Sequence, residues 1–533
     1  MALLAARLRR RPLLTSASIV VAAAGLVAYE SFDGAAPALG IFRSTRAVYT
    51  FALNSVDYKF SLRDHDKKTE EYYEVLSQVH LRAAKRILRL CEANRGFYTK
   101  AGQFIASLGQ FPKEYVETLR VLQDQAQAWP YRAIKQVFLE EFGRTPGDMF
   151  HEFDEKPLAA ASLAQVHHAW LSENEEVAVK VQYPGLQRQF EIDISTMAFL
   201  SKCVAWLFPD YQFEWLVPEF EKNLLSELDF AREARRAERA TANFANKKEV
   251  KIPSIFWDYT TNRVLTMQFM HGSKVDDVES MEKAGIDSKQ VSRVLLEIFA
   301  EMMFCHGVVH GDPHPGNILV SHNPARGSKH NFHIVILDHG LYRELDENFR
   351  RNFCNLWKAM ITSDPAEMEK SGLQLGAGEY SRFLPVILTG RTLDSKSGLG
   401  KGMSPEERTR LRDEVRKFSM GDISYFMEGL SRDFLIVLRT DGLLRSIVHK
   451  LGAPRRLRLE TYARYALLGR AMHKRGKPGF REQGIVFYSR SLVEYAYLRF
   501  RLVVLEYFLK ADTLYSLILG YLNRFLPMSK VPT

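Results

Sequence analysis

The segment HGDPHPGNILV, from His310 to Val320, constrains the fold of this chain more than any other, together with VILDHG at residues 335–340. Asp312 and Asn317 stand five residues apart, and Asp338 ends the second of two apolar, β-branched runs. A polar loop separates these runs, so they predict a β-hairpin. Phosphoryl transfer needs one carboxylate that steers a hydroxyl proton, and an amide and a second carboxylate that hold magnesium at the ATP phosphates. We therefore predict that Asp312 is catalytic and that Asn317 and Asp338 are magnesium ligands.

The same stretch is rich in histidine, which leaves a zinc site open as an alternative. His306, His310 and His314 lie close to Asp312 in the sequence, and imidazole is a frequent zinc ligand. Clustered histidines are more often surface or hydrogen-bonded residues, and one HxD or DxG triplet carries little information. A second set of residues upstream favours the nucleotide interpretation.

A strand that carries a single lysine lies upstream. Val177 to Val181 is an apolar, mostly β-branched run around Lys180, which is typical of a β-strand. A lysine in such a strand is costly unless it is paired or bound to phosphate. Kinases place a lysine on a strand after the loop that covers the phosphates. We therefore predict that Lys180 contacts the α and β phosphates, the alternative being a lysine on an exposed edge strand.

The segment before this strand, Pro157 to Val166, lies where kinases carry a glycine-rich loop, yet it contains no glycine. Glycine permits positive φ and a close approach of the backbone to phosphate, and alanine forbids much of that. We therefore expect this loop to cover the nucleotide in a different way. Its candidate nucleotide-binding residues are Ala159, Ala160, Ala161 and Ser162.

A second apolar run, RVLTMQFM at residues 263–270, predicts a strand that leads into the hinge between two lobes. In a kinase-like fold the hinge backbone hydrogen-bonds adenine. We therefore expect backbone groups near Gln268 and Met270 to bind the base.

A long acidic segment supplies candidate partners for the lysine. Residues 219–243 favour one continuous helix, because apolar residues recur at helical spacing among strong helix formers. Asp229 and Glu233 are four residues apart and share a face, whereas Glu227 and Glu233 point roughly 120° apart. One helix would thus present carboxylates in two directions. For its other charged residues, a solvated face with ion pairs is the better interpretation.

Taken together, these motifs resemble the UbiB family of atypical kinases, also called aarF-domain-containing kinases, over roughly residues 90–345. Residues 159–167 resemble the alanine-rich loop of that family, residues 100–103 its KxGQ motif, and residues 227–229 its ExD motif. Glu233 takes the place of the helical glutamate that pairs with the strand lysine. HGDPHPGN and LDHG match the catalytic and metal-binding segments.

The resemblance implies an α+β, protein-kinase-like, two-lobed fold that binds ATP and Mg²⁺. It implies that the KxGQ helix lies over the place where a peptide substrate would dock, and that five residues gate the site: Lys100, Gly102, Gln103, Glu227 and Asp229. It also implies a role in coenzyme Q or lipid metabolism, with ATPase activity better supported than protein phosphorylation.

The sequence also departs from ordinary protein kinases. Gly311 stands where those enzymes have an arginine, and His339 replaces the phenylalanine of DFG. The chain after Gly340 favours a helix at once, which leaves no long activation segment to dock and regulate a peptide substrate. Two alternatives therefore stay open: a small-molecule kinase of the choline or aminoglycoside type, and a non-catalytic scaffold that senses nucleotide.

The net charge of +10 favours anionic partners such as nucleotides or acidic lipids, and the family resemblance adds quinone-type lipids as possible partners. Nucleic acid is not expected, because the basic residues are dispersed and no known binding module appears. The four cysteines are far apart and lack metal spacing, so free thiols in a reducing compartment are expected.

The N-terminal segment predicts mitochondrial targeting. It is rich in arginine, and its first acidic residue is Glu30. Leu13 to Tyr29 is uncharged over 17 residues, which is near the lower limit for crossing a bilayer. We expect association with the inner membrane or partial removal of this segment; a secretory signal or a plain soluble helix are the alternatives.

The expected organisation has five parts: a targeting or anchor segment at 1–33, a helical extension at 34–130, a kinase-like N-lobe at 131–270, a C-lobe at 271–400 and a helical extension at 401–533. The stretch Leu492 to Leu526 is rich in Tyr, Leu and Phe with interleaved arginines. A buried core helix is the preferred interpretation there, and a membrane-surface helix is the alternative.

Overall fold

The computed structural model describes residues 37–473, with gaps at 67–68, 108–110, 124–127, 210–213, 215, 324–328, 363, 393–402, 416–425 and 427, and the isolated positions 493, 496, 497 and 500. The targeting segment 1–33 and most of the stretch 492–526 lie outside the described residues. Within the described ranges, no helix combines the length and the apolar character needed to cross a membrane.

The described chain begins with four helices: α1 (Pro37–Ser61), α2 (Glu70–Asn94), α3 (Phe97–Ser107) and α4 (Lys113–Leu119). Helix α2 begins where the Thr69 hydroxyl accepts a hydrogen bond from the Tyr72 amide, because this bond satisfies one of the unpaired N–H groups of the first turn. The helical character expected for residues 34–130 is confirmed for these ranges. The KxGQ motif lies on α3.

A mixed region follows, with the elements α5 (Tyr131–Phe142), α6 (Pro146–Met149), β1 (Glu152–Phe153), β2 (Ala159–Ala160), β3 (Ala164–Ser172), β4 (Glu175–Gln182), α7 (Leu186–Leu207), α8 (Leu216–Glu227), α9 (Phe230–Asn243), β5 (Val250–Lys251) and β6 (Val264–Gln268). Strands β1, β3, β4 and β6 form an antiparallel sheet in that order, and β2 pairs with β3. The strands predicted around Lys180 and at residues 263–270 are therefore confirmed.

The alternation of side chains along β4 decides which way Lys180 points. Val177, Val179 and Val181 are fully buried in a cluster with α5 on one face of the sheet. Lys180 must then project from the opposite face, since successive side chains of a strand alternate. That face is covered by α9, whose buried residues Phe230 and Ala234 pack on it.

Helices α7 and α8 form an insertion between β4 and α9 that belongs to a different core. Their buried residues Leu186, Phe190 and Phe220 cluster with Phe97 and Tyr98 of α3. The region expected as one N-lobe, residues 131–270, thus contains an insertion that packs with the N-terminal helices. We call α1–α4, α7 and α8 the helical unit.

The continuous helix expected over residues 219–243 is wrong. The chain breaks between α8 and α9, where the Asp229 carboxylate caps α9 by accepting a hydrogen bond from the Arg232 amide at 2.9 Å. The Gln182 side-chain amide fixes this break by donating to the carbonyl of Leu228. Aspartate is more favourable at the N-cap of a helix than in a helix interior. A new helix therefore begins after Asp229, although the surrounding residues all favour helix.

The second lobe comprises β7 (Ser273–Lys274), α10 (Val278–Lys283), α11 (Ser288–Ala300), a π-helical turn (Glu301–His306), β8 (Val308–His310), β9 (Ile318–His322), β10 (Phe332–Ile336), β11 (Tyr342–Glu344), α12 (Glu347–Thr362), α13 (Pro365–Gln374) and α14 (Leu384–Thr389). Strands β9 and β10 pair antiparallel, so the predicted hairpin is confirmed. The helix expected directly after Gly340 is wrong in its first residues, because β11 pairs with β8 before α12 begins.

Three helices complete the described chain: α15 (Pro405–Val415), α16 (Arg432–Lys450) and α17 (Arg455–His473). Buried residues of α16 and α17, such as Phe434 and Tyr462, belong to the same core as Phe304 and Trp357 of the second lobe. The C-terminal helices are therefore part of the second lobe rather than an appended unit. The whole arrangement is a two-lobed, kinase-like fold with a helical unit beside the first lobe.

Candidate active site

The centre of the cleft between the lobes is a three-residue ion cluster, which we call the nucleotide-side cluster. The Lys180 amine lies 2.8 Å and 3.0 Å from the two carboxylate oxygens of Glu233, and 3.1 Å from Asp338 Oδ2. Glu233 reaches it because it shares a buried stripe of α9 with Phe230 and Ala234, at helical spacing. The pairing of Lys180 with Glu233 expected from the motifs is confirmed.

This cluster contains more carboxylates than amines, and the imbalance affects the protonation of the carboxylates. One amine faces two carboxylates, and Glu233 is 2% exposed. Burial, together with the Asp338 charge, raises the pKa of Glu233 to about 7 in spite of Lys180. Burial acts in the same direction on Asp338, but Lys180 and the Gly340 amide hold the pKa of that carboxyl well below its usual range. Asp338 therefore carries the more firmly held negative charge.

The catalytic loop places the two other predicted residues together. The Asn317 side-chain amide donates to the Asp312 carbonyl at 3.2 Å, and the Asp312 amide donates to His310 Nδ1 at 3.1 Å. Asn317 in turn is held beside Asp338, because its carbonyl accepts the Leu337 amide at 2.9 Å. Asp312, Asn317 and Asp338 therefore line one cleft, as the motif spacing predicted.

The donor set of this cleft suits magnesium. The Asn317 amide nitrogen is engaged with Asp312, which directs the side-chain oxygen elsewhere, and the Asp338 side chain is 36% exposed. Mg²⁺ is usually held by one or two carboxylates together with substrate phosphates, rather than by a full protein cage. Asn317 and Asp338 would hold the ion. Among the described residues, no group of three or more His, Cys, Asp or Glu side chains could hold a metal, and the histidines of the zinc alternative form no such group.

The glycine-free loop is fixed by side-chain packing. Ala159 and Ala160 form β2, and the Ala161 amide donates to the Ala164 carbonyl to close a tight turn. The Ala161 carbonyl accepts a hydrogen bond from the Tyr183 hydroxyl at 3.0 Å. Leu163, at the end of the turn, is buried in the core of the helical unit.

This anchoring gives a physical account of a phosphate cover without glycine. Ser162, also in the turn, is half-buried between these fixed points. The loop is therefore immobilised by its attachment to the helical unit, whereas a glycine-rich loop keeps backbone freedom.

The predicted hinge follows β6. The Gln268 amide donates to the Ser254 carbonyl at 2.8 Å, and the next amide, of Phe269, donates to Glu176 at 3.1 Å. A hydrogen bond from the Gln268 N–H to adenine would require the first of these bonds to break. Met270, two residues on, is half-buried at the mouth of the cleft and stays the second predicted position.

A second ion cluster lies on the other side of Asp312, and we call it the gate cluster. The Lys100 amine of α3 contacts Glu227 Oε2 at 2.5 Å, at the C-terminal end of α8. Burial alone would lower the pKa of Lys100, but the charges of Glu227 and Asp312 outweigh it and keep that pKa above its ordinary value. The KxGQ and ExD motifs thus meet, although Asp229 serves as the helix cap described above and not as a partner of Lys100.

Two further residues of the KxGQ motif hold α3 in place. The Gln103 side-chain amide donates to the Leu122 carbonyl at 2.8 Å. A side chain at Gly102 would bring its Cβ within 2.4 Å of a Leu122 methyl and 3.1 Å of the Cys91 sulfur. Both residues position the helix that carries Lys100.

Sequence reasoning missed one residue of the gate cluster, Arg439. It lies on α16, and its guanidinium is 3.4 Å from Asp312 Oδ1, with the Phe104 ring of α3 at 5.9 Å from its central carbon. The approach of α16 also explains Gly311, because a Cβ there would lie 2.7 Å from an Ile436 methyl. The glycine that precedes Asp312 is the one sequence signal that could have indicated this close neighbour.

His339, in the place of the DFG phenylalanine, acts as a packing residue. Its ring stacks on Tyr342 with centroids 5.4 Å apart, and Nδ1 shares a hydrogen bond with the Tyr342 hydroxyl. Burial lowers the pKa of His339 to about 3, so the ring is neutral. Three of the four cysteines, Cys91, Cys305 and Cys354, are buried free thiols, as expected, and Cys203 is partly exposed.

The fold and this cleft define a protein-kinase-like domain. Residues 121–372 match the family model of the ABC1 atypical kinase-like domain. The chain is 41% identical over 439 residues to AarF domain-containing protein kinase 1 of Xenopus tropicalis, covering 82% of this chain and 83% of that protein. It is 42% identical over 438 residues to the protein of the same name from Mus musculus, with coverage of 82% and 83%.

A further relative is named as a probable serine/threonine-protein kinase, abkD of Dictyostelium discoideum, which is 41% identical over 459 residues, or 85% of this chain and 65% of that protein. The chain therefore belongs to the ABC1, or AarF-domain, family of atypical kinases, and the family predicted from the motifs is confirmed. Its class is kinase-like.

Proposed function

We propose that this protein binds ATP with Mg²⁺ and uses it as an atypical kinase or ATPase. The nucleotide-side cluster carries this proposal, because the Lys180 amine lies within 3.1 Å of carboxylate oxygens of both Glu233 and Asp338. A buried lysine held between two carboxylates is poised to contact phosphate oxygens. Every charged position that the chemistry needs is filled.

The chain's own residues divide the work as follows. Lys180 binds the α and β phosphates and is oriented by Glu233. Asp312 accepts or steers the proton of the attacking hydroxyl or water. Asn317 and Asp338 hold the magnesium ion, which when bound neutralises charge on the phosphates. The turn at Ala159–Ser162 covers the nucleotide, and Gln268 and Met270 flank the adenine.

The gate cluster sets the access of an acceptor to Asp312. Lys100, Glu227 and Arg439 occupy the side of Asp312 that faces the helical unit. A peptide would need these elements to separate, whereas water or a small hydroxyl compound would need less room. This arrangement favours ATP hydrolysis, or transfer to a small molecule of the kind used by choline and aminoglycoside kinases, over phosphorylation of a protein.

We place the activity in mitochondrial lipid, quinone or membrane homeostasis, with the protein associated with the inner membrane. The support for this is the arginine-rich N-terminal sequence, the net charge of +10 and the family resemblance. Acidic phospholipids and quinone-type lipids are the expected partners. The kinase-like relatives named above agree with the enzymatic part of the proposal only.

A second function, a non-catalytic scaffold that changes shape on binding ATP, is favoured by one observation. The Asp312 carboxylate is already paired with the Arg439 guanidinium at 3.4 Å, whereas the Asp338 side chain in the nucleotide-side cluster is 36% exposed. Such a protein would bind nucleotide and need no transfer step.

The test compares Asp312→Asn with the wild-type full chain in an ATP turnover assay, with and without vesicles that contain an anionic phospholipid. An enzyme should lose at least ~100-fold of its turnover, the lower end of what a general base contributes, while keeping its stabilisation by Mg-ATP. Asp258→Asn, at an exposed position outside the cleft, is the matched control. Absence of turnover in the wild type, or rescue of a knockout phenotype by Asp312→Asn, would instead support the scaffold, and unchanged turnover in Asp312→Asn would contradict the catalytic role of Asp312.

A further inference from the structure

A cavity of about 390 Å³ lies inside the helical unit, bordered by α1, α2, α3 and α7. Its walls are mainly aliphatic and aromatic, and no Asp, Glu, Lys or Arg of the described residues lines it. Cavities of this size with such walls are typical of small-molecule sites. The proposed function above makes no use of it.

One end of this cavity carries a neutral polar group. The Tyr58 hydroxyl lies 2.5 Å from His80 Nδ1 and 3.0 Å from the Tyr115 hydroxyl. Burial lowers the pKa of His80, so its imidazole is uncharged at neutral pH. This end suits an uncharged hydroxyl or carbonyl group, because the polar atoms that line it belong to neutral side chains.

The volume sets the size of the ligand. A cavity of ~150 Å³ holds one benzene molecule, and by the same ratio about 390 Å³ corresponds to roughly fifteen carbon atoms. The fitting class is a neutral lipid with one chain and one oxygen-bearing end. A two-chain phospholipid is too large.

The outer surface of α1 indicates the source from which such a ligand would enter the cavity. Phe42, Tyr49, Leu53, Val56 and Phe60 are all exposed and recur at intervals of three, four or seven residues. They form one apolar stripe along the helix, which we call the outer stripe. An apolar stripe of this length marks a contact with a membrane or a partner. The other side of α1 lines the cavity, so one helix separates the stripe from the ligand space.

Helix α3 connects the cavity to the gate cluster. Ala101, Phe104 and Ile105 line the cavity, whereas Lys100 of the same helix contacts Glu227. Phe104 also lies beneath the guanidinium of Arg439. A molecule that filled the cavity would press on the same turn of helix that holds the gate closed.

We propose that the cavity binds a neutral single-chain lipid alcohol or ketone taken from a membrane, and that its occupancy shifts α3 and so controls the Lys100–Glu227 contact. The binding half of this inference is independent of the proposed function, and the control half rests on it. The ligand is thus a regulator of access to Asp312.

Binding is tested by photocrosslinking on the full chain in phosphatidylcholine vesicles that contain a diazirine-bearing analogue of farnesol, a fifteen-carbon alcohol. Labelling should map at residue level to cavity-facing positions such as Phe51, Leu200 and Val204, and excess farnesol should compete. Leu200→Trp fills the cavity and should reduce this labelling roughly tenfold. Leu81→Trp, at an exposed position of α2 outside the cavity, should leave it unchanged.

Two results would overturn the binding half: labelling confined to the outer stripe, or labelling of the cavity that Leu200→Trp does not reduce. Thermal unfolding of each variant shows whether it is folded, and Val204→Phe replaces Leu200→Trp if the latter is not. The control half predicts that farnesol changes the Mg-ATP turnover of the wild type and of Leu81→Trp but not that of Leu200→Trp. Cavity labelling without any such change overturns it, and a wild type that does not turn over ATP defeats the proposed function while leaving the labelling result valid.

Discussion

The nucleotide-side cluster and the gate cluster each contain a largely buried lysine that faces carboxylates. The two clusters are nevertheless built from different parts of the chain. Lys180, Glu233 and Asp338 lie on β4, on α9 and just after β10, all elements of the two lobes. The gate cluster takes Lys100 from α3 and Arg439 from α16. The proposed nucleotide site thus lies on the sheet, on α9 and at the end of the hairpin, whereas the proposed gate joins α3 of the helical unit to a C-terminal helix of the second lobe. Variants on each side should separate nucleotide binding from access to Asp312.

The largest effect on nucleotide binding is expected for Asp338→Asn. This change removes the negative charge that Lys180 and the Gly340 amide hold in the cleft, and with it a magnesium ligand. Binding of Mg-ATP should weaken at least ~100-fold, which corresponds to about 2.8 kcal/mol. Stabilisation by Mg-ATP, measured as the shift in thermal unfolding, should vanish. An unchanged shift would mean that the nucleotide binds elsewhere.

The next effect concerns stability without nucleotide. Lys180→Met leaves the buried Glu233 carboxylate without its cation, and should lower the free energy of unfolding by about 4 kcal/mol. Adding Glu233→Gln should recover part of that loss, because one unpaired charge is removed. Lys283→Met, which breaks an exposed ion pair with Glu279, is the control and should cost less than about 0.5 kcal/mol. Equal losses for the two lysines in denaturant unfolding would contradict the burial argument.

The pH dependence of stability should identify Glu233. Its pKa rises from an ordinary 4.5 to about 7 on folding, so the folded protein binds more protons than the unfolded chain between these values. The stability that Glu233 contributes is therefore complete below pH 4.5 and is lost as the pH rises through 7. The difference in free energy of unfolding between wild type and Glu233→Gln should change over this window by about 3 kcal/mol. If this difference stayed constant between pH 4 and pH 8, the pKa of Glu233 would not be raised in the folded protein.

The smallest effect is expected for the gate cluster. Lys100→Met leaves Glu227 unpaired, and since both side chains keep some exposure, it should cost about 2 kcal/mol of stability. Calorimetric affinity for Mg-ATP should stay within about threefold of wild type, a shift below 1 kcal/mol, while turnover should rise because Asp312 becomes accessible. A large loss of nucleotide affinity would erase the distinction between the two clusters.

The nucleotide side could be predicted from the sequence because its rules are local. Alternation along a strand fixes the direction of Lys180, and helical spacing from Phe230 fixes that of Glu233. The five-residue spacing of Asp312 and Asn317 places both in one loop. Each inference needs only a few neighbouring residues.

The contacts of the gate cluster could not be predicted as fully from the sequence. Arg439 lies 127 residues from Asp312, and their contact depends on how α16 packs, which no local periodicity encodes. The break at Asp229 was missed because the surrounding residues favour helix so strongly, although an aspartate after a leucine-rich run is a possible cap. That Lys100 and Glu227 belong to one gate was implied only by the family resemblance, which did not specify their contact.

The insertion of α7 and α8 has a practical consequence for dissecting this protein. A fragment that starts at Tyr131 would retain these helices but lose the partners that cover Phe190, Phe220 and Leu224, which are now at most 6% exposed. The truncated protein would expose a new apolar surface and would tend to aggregate. Recombinant work should therefore keep everything from Pro37 onward, because the helices before the sheet cover these apolar side chains.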